Sequence, residues 1–221
     1  MTEYKLVIFD WDGTLMDSIA RIVSSMQAAA RHCQLTIPTV NNVKNTIGLS
    51  LPKVLDILFP SASQIDITAL LEQYKFQYVE GNSTPAPLFE HALSLLKALT
   101  DNDKLLAVAT GKGREGLQRV FSASQTEHFF HASRCADEAR SKPDPQMLLS
   151  LLAELSIAPE QAVMIGDTSY DMQMAQTAGI DRIGITLGVH DRDILNNYQP
   201  IAIVDSLAEL QQLLLPAAVH R

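Results

Sequence analysis

Apolar residues in this chain gather into short, unbroken runs that end abruptly at polar loops. The first is Leu6-Val7-Ile8-Phe9, entered from Lys5 and cut off by Asp10-Trp11-Asp12-Gly13-Thr14. Similar runs occupy 105–109, 162–165, 182–185 and 201–204. Runs of this length with sharp polar ends predict buried strands. Between the later runs lie helix-like stretches at 87–99, 145–155, 170–178 and 206–215, the third stopped by Gly179. Strands that are apolar throughout and alternate with helices predict an α/β fold. The expected form is a doubly wound, Rossmann-like parallel sheet covered on both faces.

The spacing breaks at one place. A strand–helix–strand unit takes about 30 residues, yet residues 10–104 separate the first two runs. Roughly 60 of them are surplus once one crossover helix is allowed for. The surplus has helical periodicity at 18–31, 51–58 and 67–78, and Thr84-Pro85-Ala86-Pro87 reads as its return hinge. The expected organisation is an α/β core domain made of 1–16 and 86–221, with a small helical domain, 17–85, inserted after the first strand.

Composition excludes more than it identifies. Of 221 residues, 47% are hydrophobic and 19% charged, an ordinary globular balance. Lys and Arg number 17 against 25 Asp and Glu, and the resulting charge of −8 argues against a nucleic-acid or membrane-surface binder. Cys33 and Cys135 make neither a disulfide framework nor a zinc pattern. No apolar run approaches the roughly 18 residues of a membrane span. The start, Met1-Thr2-Glu3-Tyr4-Lys5, carries charge where a signal peptide is apolar. The expectation is a cytoplasmic protein with neither a nucleic acid nor a membrane as partner. The patterning leaves monomer and homodimer open.

Open parallel sheets bind ligands beyond the carboxyl ends of their strands. There the sequence places Asp10 and Asp12 after the first run, then Thr110, Gly111 and Lys112 after the second. Lys142 sits in a later loop, and Asp167 and Asp171 follow the run at 162–165. Carboxylates so clustered repel one another unless a hard cation lies among them, and magnesium prefers oxygen ligands. A carboxylate can attack phosphorus, and an acid two residues further on can protonate the leaving alcohol and later deprotonate water. Thr110 and the amides near Gly111 can bind phosphate oxygens, while Lys142 neutralises charge developing on them. Together these residues predict phosphoryl transfer through an aspartyl phosphate. Lys112 and Arg114 have no part in it and are expected to be surface charges. His128 and His131 are too isolated to form a metal pair.

The segment Phe9-Asp10-Trp11-Asp12-Gly13-Thr14-Leu15-Met16-Asp17-Ser18 also resembles the first motif of the haloacid-dehalogenase-like phosphatase superfamily. Val108-Ala109-Thr110-Gly111 is similar to its second motif and Ser141-Lys142-Pro143-Asp144-Pro145 to its third. Ile165-Gly166-Asp167-Thr168-Ser169-Tyr170-Asp171-Met172 is similar to its fourth. The order is the family's, and the insert stands where the family carries a helical cap, most like the phosphoglycolate-phosphatase-like branch. The resemblance implies a magnesium-dependent phosphatase acting on a small phosphorylated metabolite. It implies Asp10 as nucleophile and metal ligand, and Asp12 as general acid/base and ligand through its backbone carbonyl. Asp167 would be the other protein ligand, with Asp171 supporting it. Thr110, Gly111 and Lys142 would hold the phosphoryl oxygens. Trp11 replaces the aliphatic residue common between the two acids and is expected to pack beneath the loop.

Thr46-Ile47-Gly48-Leu49-Ser50 would be the loop of the cap that faces the catalytic residues, with Gly48, Leu49 and Ser50 as its specificity positions. It holds no cation before Lys53, so a strongly anionic leaving group is poorly provided for unless Lys53 or Lys44 turns inward. Two rivals remain at this point. A phosphomutase would use the same aspartyl phosphate, and a signalling module would only hold it. The second is disfavoured by the Asp10/Asp12 pair on the first strand and by the insert.

Overall fold

The computed structural model describes residues 3–215. Met1, Thr2 and 216–221, at the two ends of the expected core domain, lie outside the described residues. Six strands form one sheet: β1 (Leu6–Phe9), β2 (Leu105–Ala109), β3 (Ala132–Arg134), β4 (Ala162–Gly166), β5 (Asp181–Ile185) and β6 (Ala202–Val204). All neighbours are parallel, in the order β3-β2-β1-β4-β5-β6. The central register sets Phe9 beside Val108 on one side and Ile165 on the other. The carboxyl ends of β1, β2 and β4 therefore finish level, where the chain order reverses across the sheet.

The helices are α1 (Ile19–His32), α2 (Val40–Lys44), α3 (Leu51–Leu58), α4 (Gln64–Phe76), α5 (Ala92–Asp101), α6 (Arg114–Ser124), α7 (Gln146–Leu155), α8 (Ser169–Ala178), α9 (Arg192–Asn196) and α10 (Leu207–Leu214). Alternate strand residues feed two different cores, as the pleat requires. Val7, Phe9, Val108, Ile165 and Ile183 pack with Leu95, Leu99, Phe121 and Leu210. Leu6, Ile8, Ala107 and Met164 pack on the opposite face with Leu148, Leu151 and Ala175. Both faces are covered, so the central strands have no polar side.

Helices α1–α4 and a π-helical turn (Gln77–Gly81) lie between β1 and the return to the sheet. They bury a core of their own, built from Met26, Ala30, Val43, Leu55 and Leu70 among others. The outgoing and returning chains touch where they pass. Asp17 N donates to Pro87 O and Phe89 N to Leu15 O, at 2.8 and 2.9 Å. That pairing takes up backbone groups a helix would need, so the helix expected from residue 87 begins only at Ala92.

Candidate active site

Asp10 is the first residue beyond β1, and its N–H extends the sheet pairing by donating to Ile165 O at 2.9 Å. The chain then turns at Gly13, whose φ of +82° suits glycine. A Cβ there would lie 2.3 Å from Asp167 Oδ2, so the turn packs directly on the acid after β4. Trp11 is fully buried, edge-on to Phe121 at 5.2 Å, and packs under the loop as expected.

Lys142 is completely buried, and its Nζ stands 2.8 Å from Asp10 Oδ1 and 2.7 Å from Asp171 Oδ1. The other oxygen of Asp171 accepts from the N–H and the hydroxyl of Thr168 at 3.1 and 2.6 Å, closing the cap of α8. Asp167 is fixed on both sides: Oδ1 accepts from Thr14 Oγ1 at 2.9 Å, and Oδ2 from Val189 N at 2.8 Å. Gly188 makes the second contact possible, since a Cβ there would sit 1.9 Å from Asp167 Oδ2. Asp12 is held by the Ser18 hydroxyl and by Lys112 Nζ, the latter at 2.9 Å.

One oxygen stands apart. Asp10 Oδ2 is buried and accepts no hydrogen bond among the described residues. Burial, with Asp171 and Asp12 adding to it and Lys142 opposing, pushes the Asp10 carboxyl up to about 7. Asp167 is raised well above the carboxylate range by burial, with Asp10 and Asp171 adding to it, against the Val189 and Thr14 bonds. Burial alone would weaken the Lys142 ammonium, but the two carboxylates outweigh it and keep it charged. Oxygens of Asp10, Asp167 and Asp171 lie within 4.8 Å of one another. Lys142 serves two of the three buried acids, and one oxygen of Asp10 is left open. This oxygen-only donor set suits a hard divalent cation, which would favour the ionised forms that burial opposes.

Thr110 is buried beyond β2, where its Oγ1 accepts from Lys112 N at 3.2 Å. Gly111 lies against the insert: a Cβ there would be 2.6 Å from Gly48 O and 2.7 Å from Leu49 O. Ser50 N donates to Ser141 Oγ at 2.9 Å, beside Lys142, and Tyr170 Oη donates to Asn45 O at 2.8 Å. Gly48, Leu49 and Ser50 therefore do meet the loops that follow β2, β3 and β4.

Lys112 corrects the sequence reading. Far from being a surface charge, its ammonium is nearly buried between Asp12 and the Tyr78 hydroxyl at 3.2 Å, with the Tyr78 ring centroid at 4.9 Å. The reason is local. Helix α6 starts only at Arg114, so Lys112 still belongs to the loop over the site. Arg114 is half-exposed and paired with Glu138 at 2.7 Å. Lys44 and Lys53 are not among the described residues lining the cleft. Ser18 and Thr14 lay within the recognised first motif, but Tyr78 read only as the end of a helical stretch, and Gly188 and Val189 carried no signal beyond their position in a loop.

A parallel sheet of this order with acids beyond β1 and β4 defines a Rossmann-like α/β fold with a carboxylate cluster at its strand ends, and comparison with known proteins places it in a family. Residues 7–185 match the family model described as haloacid dehalogenase-like hydrolase. The chain belongs to that family. It is 34% identical over 209 residues to the Dickeya dadantii (strain 3937) protein named Probable phosphatase IndB, covering 93% of this chain and 91% of the other. It is 28% identical over 227 residues to a Pasteurella multocida (strain Pm70) protein named phosphoglycolate phosphatase, covering 97% and 100%. Its fold matches a crystal structure of a predicted phosphoglycolate phosphatase from Haemophilus somnus 129pt, with TM-score 0.88 and 24% identity over 96% of this chain and 99% of that one. No helix among the described residues is long and apolar enough to cross a membrane.

Proposed function

We propose that this enzyme is a magnesium-dependent phosphatase of small phosphorylated metabolites, working through a phosphoryl group carried on Asp10. The buried, unpartnered Asp10 Oδ2, beside a lysine and two further acids, carries the reading. Oδ2 attacks phosphorus and the ester P–O bond breaks. The departing alcohol oxygen takes its proton from the carboxyl of Asp12. Asp12, now a carboxylate, takes a proton from water, whose oxygen attacks the acyl phosphate and frees phosphate and Asp10. Thr110, the Gly111 amide and Lys142 hold the phosphoryl oxygens, and Lys142 offsets the charge gained in the transition state. Asp10, the Asp12 carbonyl and Asp167 would hold Mg2+, with Asp171 in support. The ion supplies charge neutralisation and orientation of the phosphate. Residues 17–85 act as the lid over this site, and two free cysteines suit a reducing cytoplasm.

The test is phosphate release from a panel of phosphate monoesters. Chelation is expected to cut turnover at least about a hundredfold, with magnesium restoring it and calcium restoring it poorly, because calcium takes a larger, looser oxygen shell. Full activity in excess chelator contradicts the metal site. Accumulation of an isomeric phosphate ester in place of free phosphate indicates a mutase, and a single phosphorylation without turnover indicates a signalling module.

Gly111 offers a second check on the lid. Gly111→Ala would drive a methyl group into the carbonyls of Gly48 and Leu49, both under 3 Å away. The loop must lift, and misplacement on this scale lowers kcat/KM about a hundredfold. An unchanged kcat/KM would mean that closure of this loop is not needed.

A further inference from the structure

We infer that the leaving group this enzyme prefers is an uncharged, largely apolar alcohol of ring size, and not a small carboxylate such as glycolate. The inference rests on the phosphatase reading above. A cavity of about 620 Å³ runs from Asp10 and Asp12 into the helical insert. Ligand sites of about 300–1,000 Å³ enclose molecules of drug size, so glycolate would leave most of this one empty.

The residues that the insert contributes to this lining are mostly apolar. Ile22 and Met26 come from α1, Val43 from α2, Val54 from α3 and Leu71 from α4. Tyr74 and Tyr78, one turn apart with ring centroids 6.0 Å from each other, add aromatic surface to the same lining.

Charge argues the same way. Three cations are among the described lining residues, and the one beside the catalytic acids is already paired. Lys112 is bound to Asp12 and Tyr78, Arg119 lies 3.4 Å from Glu115, and Lys75 is exposed. Glu80, Glu115 and Asp137 line the same cavity in addition to the catalytic acids. A second anion would enter a largely apolar space in which acids outnumber cations, which costs more than an uncharged group does.

The decisive comparison uses esters that share the same CH2–O–phosphate unit: benzyl phosphate, ethyl phosphate and phosphoglycolate. With the magnesium enzyme, kcat/KM is expected to fall in that order, benzyl phosphate exceeding phosphoglycolate at least about tenfold. Leu71→Lys, which places a cation in the apolar wall, should shift that ratio toward phosphoglycolate by about tenfold, whereas Leu71→Met should keep it. Phosphoglycolate cleaved as well as or better than benzyl phosphate overturns the inference and leaves the phosphatase reading standing. Release from none of the three, nor from acetyl phosphate, overturns both. If Leu71→Lys does not fold, the ratio in the unaltered enzyme still decides.

Discussion

Asp10→Asn is expected to abolish turnover, by roughly ten-thousand-fold or more, while the protein stays folded. An amide has no anionic oxygen to attack phosphorus, and loss of a nucleophile is among the largest single effects known in enzymes. The structural argument concerns why the fold survives. Asp10 is buried with an unpartnered oxygen, and burial already works against its charge. Its neutral isostere therefore removes a charge that the site holds at a cost when no metal is bound. Lys142 keeps Asp171 as its counterion at 2.7 Å. Melting in chelator should be unchanged or higher, and the stabilisation gained on adding magnesium should shrink. Those melting curves, with phosphate release and mass analysis for a phosphorylated protein, make the test. Near-normal release would remove Asp10 from the chemistry. Lost activity together with a collapsed melting curve would make it structural.

The parts of the molecule legible in its sequence are those whose environment is set by the strand itself. β1, β2 and β4 are central and buried on both faces, so each reads as an uninterrupted apolar run. β3 lies at the sheet edge with three half-buried residues, Ala132, Ser133 and Arg134, and has no such signature. Helix α6 was equally hidden, because its exposed face is dense in Arg, Glu and Gln and only Leu117, Val120 and Phe121 are buried. Asp10 and Asp167 were legible because each directly follows a strand, and a parallel sheet brings those ends together. Lys112 was not. Its place depends on Tyr78, 34 positions away and on the π-helical turn of the insert, a contact no local pattern encodes. The same holds for Gly188 and Val189, whose approach to Asp167 comes from the loop after β5.

Asp12→Asn should separate the two half-reactions. The variant keeps the backbone carbonyl and so leaves metal binding nearly intact, while it removes the group that gives and takes the proton. Ser18 and Lys112 now grip the Asp12 side chain, and the Lys112 ammonium can turn to Tyr78 when the charge is lost. The geometry around Asp10 is therefore expected to persist. An alkyl phosphate has a leaving oxygen that needs protonation, so its transfer to Asp10 should slow by about a hundred- to ten-thousand-fold, the usual range for general acid–base catalysis. Nitrophenyl phosphate departs as a stable phenolate and needs little such help, so its first step should be largely spared. Hydrolysis of the acyl phosphate still lacks its base in both cases. Rapid-quench kinetics with nitrophenyl phosphate should then show a burst of about one equivalent per active site followed by slow turnover, the mark of a trapped covalent intermediate. Mass analysis should find the phosphoryl group on Asp10. Equal slowing of both esters, with no burst and no phosphorylated protein, would deny Asp12 the proton and leave it only the task of shaping the loop that carries Asp10.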